Sequence, residues 1–167
     1  MTPVFLGLGS NIEPERNLPL GLDALQQLFG DLVLSPVYES VAVGFEGDPF
    51  LNLVVQLQTG LSLADMARQL RQIETDFGRP ANAPRYSSRH LDIDVLTFGD
   101  LVGPHAGMVL PRDEVLTQAF VLRPLAELAP DAVHPEVGVR YAELWQRFDG
   151  ATVDLARVDL DWYPHAR

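Results

Sequence analysis

Six apolar segments in the first 98 residues alternate between strand-like and helical spacing, and their order constrains the fold more than any other feature of the chain. The spacing predicts strands at 4–9, 32–40, 50–59 and 91–98, and helices at 17–30 and 62–77. An order of strand, helix, strand, strand, helix and strand is the split βαβ, or ferredoxin-like, pattern. We therefore expect an α+β fold in which helices pack against one face of a mainly antiparallel sheet.

The second half of the chain carries weaker patterns, which predict a short strand at 109–111, a helix at 115–128 that Pro124 could divide, and a helix at 141–148. Residues 149–167 are weakly patterned, although Val153 and Leu155 hint at an edge strand. The length of 167 residues is close to the commonest domain size. We expect one domain over 1–167, with a core over about 1–148 and a C-terminal extension.

Charge and composition exclude several classes of function. A net charge of −11 argues against non-specific nucleic-acid binding, because a phosphate backbone would be repelled. Cysteine is absent, which removes disulfides, thiolate nucleophiles and zinc–thiolate sites. All 12 basic residues are arginine, which removes Schiff-base chemistry and the lysine of a P-loop. No apolar run approaches the roughly 20 residues of a membrane span and no secretory signal is visible, so a cytoplasmic protein without membrane contact is expected.

Two aspartates interrupt the apolar strand predicted at 91–98. Side chains two residues apart on a strand share a face, so Asp92 and Asp94 point to one side and Leu91 and Ile93 to the other. Carboxylates about 6–7 Å apart repel each other, and a divalent cation relieves that repulsion. Mg²⁺ commonly uses one or two carboxylates together with substrate phosphates. The alternative is that both are surface residues of an edge strand that resists aggregation.

Three arginines precede this pair within one loop, although the chain as a whole is strongly acidic. Arg79, Arg85 and Arg89 beside a carboxylate metal site describe a polyphosphate pocket, in which guanidinium groups hold the outer phosphate oxygens. The alternative is that these arginines form plain ion pairs with the two aspartates.

Residues 85–96, RYSSRHLDIDVL, resemble the signature of the 6-hydroxymethyl-7,8-dihydropterin pyrophosphokinase family. Four further matches follow the family order, at 7–11, 50–52, 73–74 and 120–130. One short motif is a weak signal, whereas five in the right order are a strong one. The resemblance covers about residues 4–148.

This resemblance implies an ATP-dependent diphosphotransferase of folate biosynthesis with a ferredoxin-like fold. Such an enzyme moves a diphosphate from ATP to the hydroxymethyl group of a reduced pterin and leaves AMP. By resemblance, Asp92 and Asp94 hold two Mg²⁺ ions, and Arg79 and Arg89 contact the triphosphate as catalytic residues. The implied partners are ATP and the pterin, and we expect a monomer or weak dimer.

The resemblance also implies two sets of binding residues. The pterin set comprises Ser40, Val43, Phe50, Asn52, Tyr86 and Phe120, and the nucleotide set comprises Glu74, Arg79, Arg85, Arg89 and Arg112. Asn52 is expected to hydrogen-bond the pterin edge, while Tyr86 and Phe120 stack on the ring or close over it. Ser40 and Val43 are expected to line the slot through backbone groups.

Several positions depart from the family pattern, mainly on the ATP side. Arg112 stands where the family has a histidine, and Gln118 and Gly107 stand where arginine is usual. Three interpretations follow. The chain is a working pyrophosphokinase with rearranged ATP contacts, a divergent paralogue that binds pterin or nucleotide without transfer or with an altered substrate, or a ferredoxin-like interaction module whose carboxylates form a solvated edge.

Overall fold

The computed structural model describes residues 1–41, 47–78, 89–149 and 155–162. The strands of these residues are β1 Thr2–Ser10, β2 Val33–Leu34, β3 Val37–Ser40, β4 Phe50–Thr59, β5 Asp92–Phe98, β6 Gly103–His105, β7 Met108–Leu110 and β8 Ala156–Val158. The main sheet has the order β5-β1-β4-β3-β8, with β2 also paired to β4, and every pair is antiparallel. Strands β6 and β7 form a separate antiparallel pair.

The helices are α1 Pro14–Phe29, α2 Leu63–Asp76, α3 Glu114–Thr117, α4 Ala119–Leu128 and α5 Tyr141–Arg147. The predicted cap of α2 is present, because the Oγ of Ser62 accepts the Asp65 backbone N–H at 3.1 Å. The predicted division of 115–128 also occurs, but at Gln118, which has an extended backbone, so that Pro124 lies within α4.

Helices cover both faces of the sheet. On one face, α1 and α2 pack against alternate strand residues such as Leu6 and Val55. On the other face, α4 and α5 pack against Phe5, Val54 and Leu96. The predicted α+β class, with a mainly antiparallel sheet and helices packed on it, is confirmed. The expectation that only one face carries helices is wrong, because apolar side chains on the central strands point to both sides.

The strand predicted at 32–40 is interrupted at Ser35 and Pro36. Proline has no backbone N–H to donate to a neighbouring strand. Ser35 fills the gap on both sides: its N–H donates to the Val54 carbonyl at 2.9 Å, and its Oγ accepts the Val54 N–H at 2.8 Å. The segment therefore follows β4 as two short strands, and the second brings Ser40 beside the end of β4.

The C-terminal segment adds an edge strand to the sheet, beginning one residue after Leu155, whereas Val153, the other residue of the predicted edge strand, lies outside the described residues. β8 pairs with β3, and the indole N–H of Trp162 donates to Asp23 Oδ1 on α1 at 2.9 Å.

A single domain over 1–167 stays a prediction. Among the helices of the described segments, none combines the length and apolar character that a transmembrane span requires.

Candidate active site

The floor of the candidate site is the part of the sheet that α4 leaves uncovered. On the central strand β1, Gly9 pairs with Asn52 of β4 on one side and with Asp92 of β5 on the other. Gly7 likewise pairs with Asp94. Because glycine has no side chain, the space between the amide and the two carboxylates stays open. A cleft that is open to solvent lies over these residues.

The two carboxylates form the acidic end of the cleft. Asp92 and Asp94 point to the cleft side of β5, whereas Leu91 and Ile93 belong to the opposite core. The predicted alternation along the strand is therefore confirmed. The Asp94 side chain is 29% exposed and lies close to the Asp92 carboxylate. Both residues are half-buried, on a strand at one end of the described strand order.

The electrostatics of this pair favour the uptake of positive charge. Burial raises the pKa of Asp94 well above its ordinary value, and the neighbouring Asp92 carboxylate raises it further, while Arg112 acts in the opposite direction. Two close, partly desolvated carboxylates suit a hard divalent cation, which prefers oxygen ligands. Within the described ranges, no group of three acidic or histidine side chains is placed to enclose a metal.

Arg112 lies beside the carboxylate pair and carries two acidic neighbours. Its Nη2 is 3.6 Å from Asp94 Oδ1, and its Nε donates to Glu114 Oε1 at 2.6 Å. Its backbone N–H donates to the Leu96 carbonyl at 2.9 Å, which fixes it to the strand that bears the aspartates. Burial lowers the pKa of Arg112, but Asp94 and Glu114 outweigh it, so the net pKa is raised and the guanidinium stays charged.

Arg89 enters the cleft from the segment before β5. It is buried, with 5% exposure, and its backbone N–H donates to Asn11 Oδ1 at 2.7 Å. The Asn11 N–H returns a bond to the Arg89 carbonyl at 3.1 Å, and the Asn11 Nδ2 donates to the Asp48 carbonyl at 3.1 Å. Asn11 thus joins three chain segments at the rim and holds the backbone of Arg89 in place.

The other end of the cleft combines a polar amide with aromatic walls. The Asn52 Nδ2 donates to the Oγ of Ser40 at 2.7 Å and to the Tyr38 carbonyl at 3.3 Å. Phe50 and Phe120 also line the cleft, and the Phe50 ring lies beside Gly9, as Asn52 Oδ1 does. An oriented carboxamide and aromatic rings in one cleft suit a flat heterocycle with hydrogen-bonding edges.

The structure brings together most of the residues predicted for the site. The cleft is lined by Ser40, Phe50, Asn52, Arg89, Asp92, Asp94, Arg112 and Phe120. Four predicted residues lie outside the described residues, namely Val43, Arg79, Arg85 and Tyr86.

Glu74 is placed apart from the other predicted residues. It is buried on α2, does not line the cleft, and accepts the Ile93 backbone N–H through Oε2 at 2.9 Å. A nucleotide contact by Glu74 stays a prediction, and this placement favours a structural role, because the carboxylate serves the backbone of the edge strand β5.

Sequence reasoning assigned no site role to three residues that the structure puts at the cleft. Glu114 and Gln118 line it, and Asn11 organises its rim. The signal for Asn11 was its place in the 7–11 motif directly after β1. The signal for Glu114 was its spacing of two residues from Arg112, but only the turn into α3 brings the two side chains into contact.

Comparisons with known proteins point to one family. Residues 5–130 match the family model described as 7,8-dihydro-6-hydroxymethylpterin-pyrophosphokinase (HPPK). The chain is 36% identical over 137 residues to 2-amino-4-hydroxy-6-hydroxymethyldihydropteridine pyrophosphokinase of Pseudomonas aeruginosa, covering 80% of this chain and 84% of that protein. It is 33% identical over 157 residues to the protein of the same name from Synechocystis sp., covering 89% and 77% respectively.

Solved structures show the same fold. A crystal structure of Plasmodium falciparum HPPK-DHPS superposes with a TM-score of 0.72 at 13% identity over 89% of this chain, which spans 46% of that longer chain. The match to the family model covers all the described residues that line the cleft, including both aspartates, Asn52 and Phe120. The chain therefore belongs to the 7,8-dihydro-6-hydroxymethylpterin-pyrophosphokinase family.

Proposed function

We propose that this chain transfers a diphosphate from ATP to the hydroxymethyl group of 6-hydroxymethyl-7,8-dihydropterin in folate biosynthesis, with Mg²⁺ bound by Asp92 and Asp94. Family membership supports the pyrophosphokinase activity. The observation that carries the residue assignment is the joint layout of the cleft: a carboxylate pair at one end and an oriented amide with aromatic walls at the other, separated by Gly9.

In the proposed reaction, the pterin hydroxyl oxygen bonds to the β-phosphorus of ATP, and the bond from that phosphorus to the α–β bridging oxygen breaks. AMP leaves with the bridging oxygen, and the hydroxyl proton is released. When bound, Mg²⁺ supplies neutralisation of the phosphate charge and Lewis-acid polarisation of the phosphoryl oxygens.

The chain's own residues position the reactants and neutralise charge. Arg89 and Arg112 line the same cleft as the carboxylates, where their guanidinium groups can hold phosphate oxygens. Asn52 fixes one edge of the pterin, and Phe50 and Phe120 confine its faces. Positioning of this kind lowers the barrier without a covalent intermediate. Contacts by Arg79 and Arg85 to the phosphates, and by Val43 and Tyr86 to the pterin, stay predictions.

A second candidate function is pterin binding without transfer. It is favoured by the acidic balance of the cleft, where Glu114 already neutralises Arg112, and by Gln118, which adds no positive charge.

We also keep a cytoplasmic monomer or weak dimer as part of the proposal.

The test is AMP formation from ATP, Mg²⁺ and the reduced hydroxymethylpterin, together with calorimetric titration of the pterin. We expect AMP from the unchanged protein and none above background from Asp94→Asn. The matched control is Asp100→Asn, which removes an exposed carboxylate in the turn after the same strand. Pterin binding without AMP in the unchanged protein would establish the second function, and absence of both would remove the assignment.

A further inference from the structure

The contact between Arg112 and Glu114 is closer than the contact between Arg112 and Asp94. The first is a hydrogen bond of 2.6 Å, whereas the second, at 3.6 Å, exceeds the 2.7–3.2 Å range of such bonds. All three side chains are partly buried: Arg112 is 33% exposed, Glu114 16% and Asp94 29%. Interactions between charges buried to this extent are screened less than those between charges on an open surface.

Hydrogen bonds fix the backbone of Arg112, so that only its side chain is free to move. Its N–H is bonded to the Leu96 carbonyl of β5, and its own carbonyl accepts the Val115 N–H at 3.1 Å. The guanidinium therefore moves only by side-chain rotation between two acidic partners. Since Glu114 holds the Nε edge, it sets how near the rest of the group comes to Asp94.

An unrestrained arginine at this place would close on Asp94. A guanidinium and a carboxylate match in a two-bond arrangement, which is stronger than a single contact. Such a pair would occupy the oxygens that a divalent cation needs. Because its Nε is bonded to Glu114, the guanidinium stays 3.6 Å from Asp94 Oδ1, beyond hydrogen-bond distance. The Asp94 carboxylate therefore remains accessible from the cleft.

We propose that Glu114 is a positioning residue that holds the Arg112 guanidinium away from Asp94 and so keeps the carboxylate pair available to a divalent cation. This inference rests on the proposed metal role of Asp92 and Asp94. The inference gives Glu114 a specific role. Without that role, an acidic residue at this position would only reduce the positive charge of a phosphate-binding cleft.

The test is the affinity for Mn²⁺ alone, measured by calorimetry and by electron paramagnetic resonance without nucleotide. Glu114→Ala is expected to weaken Mn²⁺ binding about tenfold, the scale of one charge-assisted contact. Arg112→Gln is expected to bind Mn²⁺ at least as tightly as the unchanged protein, because a competing cation is gone. In the Arg112→Gln background, Glu114→Ala is expected to change the affinity less than about twofold, because a residue that acts through another loses its effect when that partner is removed.

Controls separate this mechanism from simple loss of negative charge. Glu15→Ala removes an exposed carboxylate on α1 and should leave Mn²⁺ affinity unchanged. Glu114→Gln, a milder change for α3, provides a second variant if the alanine protein unfolds, and its thermal melt reports the fold.

Two results overturn the inference alone: unchanged Mn²⁺ affinity in both Glu114 variants, or an equal loss from Glu114→Ala with and without Arg112. The second result would mean that Glu114 acts on the cation directly. A different result, in which the unchanged protein fails to bind Mn²⁺ or Asp94→Asn binds it equally well, overturns the proposed metal site itself and the inference with it.

Discussion

The carboxamide of Asn52 donates a hydrogen bond of 2.7 Å to the hydroxyl of Ser40, which lies on the neighbouring strand β3. The same Nδ2 also reaches the Tyr38 carbonyl at 3.3 Å. These bonds orient the amide so that its Oδ1 lies on the side of Gly9. Ser40 therefore contributes its side chain to the site, in addition to the backbone role expected for it.

Ser40→Ala should weaken pterin binding roughly fivefold, because one hydrogen bond of about 1 kcal/mol that holds the amide is lost. Ser40→Thr keeps the hydroxyl and should restore the affinity. Calorimetric titration with the reduced pterin measures both. Equal affinity in all three proteins would show that the hydroxyl does not position Asn52.

Gly9→Ala should impair ligand binding more than folding. A Cβ at this position would lie 3.3 Å from Asn52 Oδ1 and 3.5 Å from the Phe50 ring, so the amide must shift by a few tenths of an ångström. We expect a loss of about tenfold in pterin affinity, the upper end of what one neutral hydrogen bond contributes, with a nearly unchanged urea midpoint. Gly60→Ala, where the new Cβ meets only Met1 Sδ at 3.5 Å, is the matched control. A fall in the urea midpoint with normal pterin binding would contradict this expectation.

The shared side of Asp92 and Asp94 in the cleft floor could be predicted because it depends on strand alternation alone. Asn52 was implied by the family resemblance, and the glycines between the amide and the carboxylates follow from the register of β1, which alternation does not determine. The Arg112–Glu114 contact depends on the turn that leads into α3, for which the sequence carries no periodic signal.

The position of Glu74 shows a second limit of sequence reasoning. Its side chain bonds the backbone of Ile93 on β5, which forms one end of the strand order. Whether the Ile93 N–H needs a side-chain acceptor can be decided only once the strand order is known, because on a central strand a neighbouring strand would accept that N–H. A family motif marks the residue without giving the reason for its presence.

Glu74→Ala should therefore lower stability and leave the intrinsic nucleotide affinity unchanged. Removing the acceptor leaves a buried N–H unsatisfied, which costs about 1–3 kcal/mol. Urea denaturation measures the stability, and titration with a non-hydrolysable ATP analogue at low urea measures the affinity. Glu39→Ala, an exposed change on β3, serves as the control for stability. A stable variant with weakened nucleotide binding would restore the predicted nucleotide role.

Stability should fall in mild acid because of His134. This residue is 1% exposed, and its Nδ1 accepts the N–H groups of Glu136 and Val137 at 3.1 and 3.2 Å. Burial lowers its pKa below the ordinary value of 6.5. As pH falls, the unfolded chain takes up the proton first. The contribution to stability is therefore full above about pH 6.5, decreases as pH drops towards the folded-state pKa, and is constant below that pKa.

Urea midpoints between pH 8 and pH 5 measure this effect. His134→Asn keeps a side-chain acceptor for the same turn, since asparagine accepts N–H groups two residues ahead, but it does not titrate. Its stability should depend less on pH than that of the unchanged protein. His105→Asn, at a half-buried position on β6, is the matched substitution control. Identical curves for His134→Asn and the unchanged protein would disprove the role of His134.

Trp162 should hold the C-terminal strand in place. Its indole N–H bonds Asp23 at 2.9 Å, and its ring packs against the core beneath α1. Trp162→Phe loses the hydrogen bond, about 1 kcal/mol, so opening of β8 should become roughly fivefold more frequent. Trypsin measures this opening, because Arg157 lies within β8 and is cleaved only when the strand leaves β3. Trp145→Phe, on α5, should leave the cleavage rate after Arg157 unchanged. A rate equal to that of the unchanged protein in Trp162→Phe would mean that the pairing of β8 with β3 suffices to hold the extension.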